Sequence, residues 1–152
     1  MDTWKQSIET VYDEKKIYLA GTIYTEEPHK SWKYEFRNSM SGKISNKISF
    51  SYIDPNPNTE NNEFSKKVVV PIDKQIISSS DILIAYIVNC SFGTTMEIFY
   101  AFQQQNKLVI VIDPYEKYGE DVWLKYHTHL IVNNIEQASL VIYNTYDNII
   151  IN

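Results

Sequence analysis

The residues with the clearest chemical content are Ser91-Phe-Gly-Thr-Thr-Met-Glu-Ile98, which come just after the apolar run Ile82–Val88. An apolar run that empties into small residues predicts a buried strand, a turn and the start of a helix. That helix carries one carboxylate, Glu97, in its first turns. The backbone N–H groups at a helix start lack acceptors and lie at the positive end of the dipole. They can hold a phosphate or hydroxyl and keep a nearby carboxylate ionised. An anion cradle beside an ionised Glu suits chemistry on a nucleotide or sugar. Met96 and Ile98, on either side of Glu97, are expected to be buried.

Other reactive residue types have simpler explanations beside the functional ones. Ser91 and Thr94 are good helix caps as well as ligand donors. Asp73, two residues after Pro71, suits the first turn of a helix, while Asp54 and Asp81 suit turns. Lys33 and Arg37 share a helix face that reads as solvated, and Arg37 is the only arginine in the chain. His127 and His129 are two apart, so on a strand they would share a face. No third ligand is near them, and the expectation is no metal. Cys90 adjoins the anion turn without a histidine to activate it and reads as a small buried residue. Trp123 and Tyr126 suit either a base pocket or a wall between subunits.

The elements that must position these groups fit one domain of 152 residues, spanning 1–152. A net charge of −5 argues against a nucleic-acid surface, which needs basic stripes to displace counterions. One cysteine excludes a disulfide framework or a thiolate cage within one chain. Residues Met1–Lys16 are polar and of mixed charge, unlike a signal peptide, and the apolar runs are too short for a bilayer. The expected setting is cytoplasmic, with no membrane partner.

Ile17-Tyr-Leu-Ala-Gly21 predicts a first buried strand, after a polar lead-in over residues 1–14. Pro28–Ser41 predicts a helix, with Trp32, Phe36 and Met40 on one face. Ile48–Ile53 predicts a strand that stops at Asp54-Pro-Asn-Pro-Asn, with a loop continuing through Asn62. Pro71–Ser80 predicts a short helix with Pro in its first turn. Then follow a strand over Asp81–Val88, a helix over Gly93–Asn106 and a strand over Leu108–Ile112. A short strand at Leu130–Val132 and a helix from Asn134 come next, with the tail Asn148–Ile151 as a last strand or a subunit contact. Alternating strands and helices imply a parallel sheet covered on both faces, with ligands outside the carboxyl ends of the strands. Gly21, Asp54 and Ser91–Thr95 all fall at such ends and are expected to share one crevice.

Tyr18-Leu-Ala-Gly-Thr-Ile23, Asp73 before Ser80-Asp-Ile-Leu-Ile-Ala85, then Ser91-x-Gly-x-x-x-Glu97 and Ala101, together resemble the nucleoside 2-deoxyribosyltransferase superfamily. That group includes the transferases and the related 5′-monophosphate N-glycoside hydrolases. The resemblance runs from about Lys16 to Asp113, with weaker support to Ala138. It implies that Glu97 is the nucleophile, Tyr18 orients it and Asp73 handles the leaving base. Six residues before the nucleophile, the free-nucleoside transferases carry an acidic residue, whereas the monophosphate hydrolases carry Ser, as Ser91 is here. A hydroxyl beside free helix N–H groups accepts a phosphate that a carboxylate would repel. Gly21-Thr22-Ile23 resembles the hydrolases' Gly-Ser-Ile run; the arginine that follows there is Tyr24 here, and Arg37 or Lys33 is the candidate replacement.

The sequence thus reads as a flavodoxin-like (Rossmann-like) doubly wound α/β domain with a five-stranded parallel sheet. The resemblance implies a retaining N-glycosidase without cofactor, acting on a (2′-deoxy)nucleoside 5′-monophosphate as a homodimer or larger assembly. Catalytic candidates are Glu97, Asp73 and Tyr18. Substrate-binding candidates are Gly21, Thr22, Ile23, Tyr24, Arg37, Ser91, Gly93 and Thr94. Base exchange on a free nucleoside is the alternative activity. A non-catalytic nucleotide-sensing module is the rival from another class, and cleavage of a dinucleotide in a wider pocket framed by Asn56–Lys67 is a further one.

Overall fold

A computed structural model describes residues 13–21, 31–43, 48–55, 62–89 and 91–151. The expectations for residues 1–12, Thr22, Ile23, Tyr24 and Cys90 lie outside the described residues. Strands β1 (Asp13–Gly21), β2 (Ile48–Ile53), β3 (Ile82–Tyr86), β4 (Leu108–Ile112) and β5 (Leu130–Val132) form one parallel sheet. Their order, β2-β1-β3-β4-β5, is that of the flavodoxin-like folds, and the winding reverses between β1 and β3.

The near-continuous apolar runs of β1, β3 and β4 follow from burial on both faces. Ile17, Leu19, Ile82, Ile84, Ile110 and Ile112 pack on one face against Trp32, Phe36 and Met40 of helix α1 (Trp32–Ser41). Ala138 and Ile142 of helix α5 (Ile135–Ile151) complete that layer. Tyr18, Ala20, Leu83, Ala85, Val109 and Val111 face the other way, onto Ile77 of helix α2 (Val70–Ser79) and Ile98 and Ala101 of helix α3 (Phe92–Gln103). A short helix, α4 (Val122–Tyr126), lies between β4 and β5. Among the described residues no helix is long and apolar enough to cross a membrane.

Two segments differ from the sequence expectation. Of the loop expected through Asn62, residues 56–61 lie outside the described residues; the helix expected from Pro71 begins earlier, the chain being helical from Glu63, with a π-helix (Ser65–Val69) that runs into α2. Pro71 accounts for it. In an unbroken α-helix the proline ring would clash with the carbonyl four residues back and leave it without a donor. In the wide turn before it, the Val70 N–H instead reaches the Ser65 carbonyl, five residues back. The tail Asn148–Ile151 is not a strand, because α5 continues to Ile151. No Gly or Pro interrupts the sequence from Ile135 to Ile151, so nothing stops the helix there.

Candidate active site

β1 brings Tyr18 to the face covered by α2 and α3, and α3 brings Glu97 to the same face, between inward-facing Thr94, Ile98 and Ala101. Asp73, in the first turn of α2, is also buried. The three act on one another electrostatically. Loss of water raises the Glu97 carboxyl to about 7; the Tyr18 hydroxyl beside it pulls it back down, Asp73 pushes it further up and Lys33 lowers it. Burial drives the Tyr18 phenol far above its ordinary value, and the Glu97 and Asp73 carboxylates add to the rise. Tyr18 therefore stays protonated and can only donate towards a carboxylate.

The hydroxyl approaches Glu97 without closing a hydrogen bond of ordinary length. Among the described residues, Tyr18 Oη, Glu97 Oε2 and Trp32 Nε1 are buried side-chain polar atoms with no hydrogen-bond partner. Each such atom costs about 1–3 kcal/mol when left unmatched. Tyr18 lies in the second half of β1, Trp32 opens α1 and Glu97 is in the second turn of α3, all towards the carboxyl end of the sheet. Unmatched buried polar groups gathered there are groups that a ligand can complete.

At the start of α3, Ser91 is the N-cap. Its Oγ accepts the Thr94 N–H at 3.2 Å and donates to Thr94 Oγ1 at 2.9 Å. The N–H groups of Phe92 and Gly93 have no acceptor within the helix. Among the described residues a Cβ built on Gly93 meets nothing within 4 Å, so there is free space beside the helix start. Gly21 has a structural requirement of its own. Its φ of +129° and the 2.6 Å from a Cβ built there to the Tyr86 carbonyl oxygen exclude any side chain.

The expected solvated face of Lys33 and Arg37 is a paired one. Arg37 Nη2 donates to Asp54 Oδ2 at 2.8 Å, and Lys33 Nζ lies 3.3 Å from Asp54 Oδ1. Lys33 is buried, whereas Arg37 is half-exposed. Burial lowers the Lys33 ammonium while Asp54 beside it raises it; Asp54 itself is half-exposed, and although partial loss of water raises it, its two cations hold it below the usual range. The register that sets Tyr18 opposite Ile53 places Asp54 directly past the end of β2 and brings it within reach of α1.

Other expectations resolve differently. Met96 is 67% exposed, not buried, because α3 turns Thr94, Ile98 and Ala101 inward and so Met96 outward. His127 and His129 do not share a strand. His127 caps α4, with Nδ1 2.7 Å from the Trp123 carbonyl oxygen, and His129 Nδ1 accepts the Val109 N–H. Among the described residues no cluster of three His, Cys, Asp or Glu is placed to hold a metal. Trp123 and Tyr126 are exposed on α4, where Trp123 lines a groove of about 380 Å³ with Met96 and Phe99. Asp81 accepts the Lys16 N–H and ties β1 to the turn before β3.

Sequence reasoning placed Asp54 in the shared crevice and offered Lys33 as an alternative to Arg37, but it did not foresee that Lys33 and Asp54 pair. Its available signal was an Asp at a strand's carboxyl end beside the winding reversal, with a Trp-Lys pair opening the next helix.

Three solved structures share this fold. A 2-deoxyribosyltransferase from the psychrotolerant bacterium Bacillus psychrosaccharolyticus has a TM-score of 0.61 at 19% identity, over 82% of this chain and 90% of that one. A conserved protein from Enterococcus faecalis V583 has a TM-score of 0.58 at 15% identity, over 84% of this chain and 96% of that one. The Clostridium botulinum CMP N-glycosidase BcmB has a TM-score of 0.52 at 19% identity, over 87% of this chain and 99% of that one. Two of these neighbours are thus a deoxyribosyltransferase and an N-glycosidase, the two branches of the superfamily that the sequence resembles. No protein-family profile and no curated protein matches the chain.

Proposed function

We propose that the protein is an N-glycosidase that cleaves the bond between base and sugar in a nucleoside 5′-monophosphate through Glu97. The observation that carries this reading is a buried carboxyl with an unmatched oxygen, raised to about 7, beside a neutral tyrosine and a second buried acid. Cleavage builds oxocarbenium character at C1′, and Glu97 attacks it from below the ring to give a glycosyl ester. Tyr18 donates to Glu97 and holds its orientation. Asp73, in its protonated form, gives the departing base nitrogen its proton. Water activated by the resulting carboxylate then attacks C1′, Glu97 leaves and the configuration is retained.

The open helix start at Phe92 and Gly93 supports a 5′-phosphate there, in front of the N-terminus that also carries Glu97. Exposed Phe92, Met96 and Phe99 on α3, beside Trp123 on α4, support assembly into a homodimer or larger unit. We place the enzyme in the cytoplasm. One observation favours the alternative, base exchange on a free nucleoside: the Ser91 hydroxyl is already engaged by Thr94.

The test is incubation with nucleosides and 5′-monophosphates, with and without a second free base, following base release by chromatography. Release from monophosphates without an acceptor, lost in Glu97→Ala, is the expected result. Product only from free nucleosides with a second base establishes the transferase. Nucleotide binding without turnover in either format overturns both and leaves the sensing module.

A further inference from the structure

The first turn of α1 presents two buried donors: among the described residues the Trp32 indole N–H has no acceptor, and the Lys33 ammonium has one long contact. Trp32 is 3% exposed and its indole stacks on Tyr86 at the end of β3, with ring centroids 5.2 Å apart and planes at 8°. Its Cζ2 lies 3.4 Å from the position of a Cβ on Gly21. Nε1 is bonded to the same ring carbon as Cζ2, so the N–H edge of the indole is the one turned towards the end of β1. Among the described residues that N–H has no acceptor. An indole nitrogen only donates, and a buried one usually finds a partner.

Lys33 follows at 7% exposed, with Nζ 5.9 Å from the Trp32 ring centroid. An ammonium has three N–H donors. Among the described residues its ion-pair partner is Asp54, at 3.3 Å, longer than the 2.7–2.9 Å usual for a charge-assisted bond. The shorter contact to Asp54 belongs to Arg37, which approaches from the solvent side at 2.8 Å. Lys33 also acts on Glu97, whose carboxyl it lowers, so its charge reaches the reacting end of the crevice. Burying an ammonium with one long contact is costly unless a further acceptor completes it.

We propose that Trp32 Nε1 and Lys33 Nζ together form a donor subsite for an anionic or carbonyl oxygen of the bound nucleotide, with Asp54 and Arg37 as the pair that positions Lys33. The proposal rests on the N-glycosidase reading for the ligand's class, not for the geometry. It divides the two cations of α1 by role: Lys33 touches the ligand, whereas Arg37 holds Asp54 in place. The oxygen belongs either to the 5′-phosphate or to the base, and both are acceptors of the same chemistry.

The test is calorimetric titration of the whole protein and of Lys33→Gln, Trp32→Phe and Arg37→Gln with AMP, CMP, GMP and UMP, the matching nucleosides and ribose 5-phosphate. Lys33→Gln is expected to weaken binding of the preferred monophosphate at least tenfold, Trp32→Phe about fivefold and Arg37→Gln two- to fourfold. A loss for monophosphates and ribose 5-phosphate, but not for nucleosides, assigns the oxygen to the phosphate. An equal loss for nucleotide and nucleoside assigns it to the base.

A readout on the unaltered protein guards against variants that misfold. Of its three indole N–H resonances, the one assigned to Trp32 is expected to move downfield when the monophosphate binds. The proposal fails if Lys33→Gln and Trp32→Phe bind every ligand within twofold of the parent and the Trp32 resonance stays fixed. Turnover that still depends on Glu97 would then leave the N-glycosidase reading standing. If the parent protein binds none of these ligands, both readings fall together.

Discussion

Glu97 and Asp113 are two buried carboxylates at the same end of the sheet with opposite surroundings. Asp113, just past β4, is 1% exposed and accepts three backbone N–H groups, from Lys117 at 3.1 Å and from Tyr118 and Gly119 at 2.8 Å. Glu97 has an oxygen with no partner and a neutral phenol that stops short of it. Burial alone therefore does not mark a functional acid. What separates them is whether the fold satisfies the charge: Asp113 folds its own loop, whereas Glu97 is left for something the chain does not supply.

That contrast is broken most directly by removing each carboxylate. Glu97→Gln keeps the shape and is expected to lower turnover by about a thousandfold or more, measured as base release under saturating nucleotide. Its fold stays intact. Asp113→Ala strips three N–H groups of their acceptor and is expected to cost about 2–4 kcal/mol, lowering Tm by roughly 5–15 °C in calorimetry. If Asp113→Ala melts like the parent while Glu97→Gln unfolds, the assignment of roles is reversed.

The pH dependence sharpens the same comparison. The folded Glu97 titrates at about 7, above its ordinary 4.5, so the native state holds this proton more tightly than the unfolded chain does. The stability it lends is complete below about pH 4.5 and is lost as pH rises through 7. Relative to Glu97→Gln, the parent protein is expected to lose roughly 2–3 kcal/mol across that window, read from denaturant melts at a series of pH values. Turnover has the opposite slope on its acid limb, rising through about pH 7 as the nucleophile ionises. A flat difference in stability between pH 5 and 8 would contradict the unmatched state of this carboxyl.

Two glycines at the crevice extend the comparison, and the second carries the smallest effect. Gly21→Ala forces a side chain into a positive φ and onto the Tyr86 carbonyl, with an expected cost of about 2–3 kcal/mol. Gly93→Ala meets open space at a helix start and is expected to stay within about 0.5 kcal/mol of the parent in thermal melts. It should nevertheless weaken monophosphate binding, because a methyl there crowds a ligand held on the helix N–H groups.

Much of the fold was legible because β1, β3 and β4 are buried on both faces, which writes them as unbroken apolar runs such as Leu108–Ile112. The start of α3 was legible for a local reason: Ser91 caps it three residues before Thr94. Less of the site was legible. The Lys33–Asp54 contact joins residues far apart in sequence and forms only once β2 has paired with β1. Met96 was misread because α3 carries apolar residues all round, so composition did not reveal which face turns inward. The two histidines share no strand face because α4 ends just before His127 and β5 starts only after His129, which removes the period of two.

The π-turn before Pro71 has a consequence for how this chain tolerates change in length. A single wide turn is what a helix makes of one inserted residue, taken up locally so that the helix beyond it keeps its phase. Asp73 lies beyond it, and Ile77, one turn further, is locked into the sheet. An added or lost residue upstream of Ser65 would therefore rotate only the approach to the rod and leave the acid where it stands. Deletion of one residue within 65–69 would close the turn onto the proline ring. Length variation in this part of the chain is thus expected to accumulate ahead of the wide turn and to stop at it.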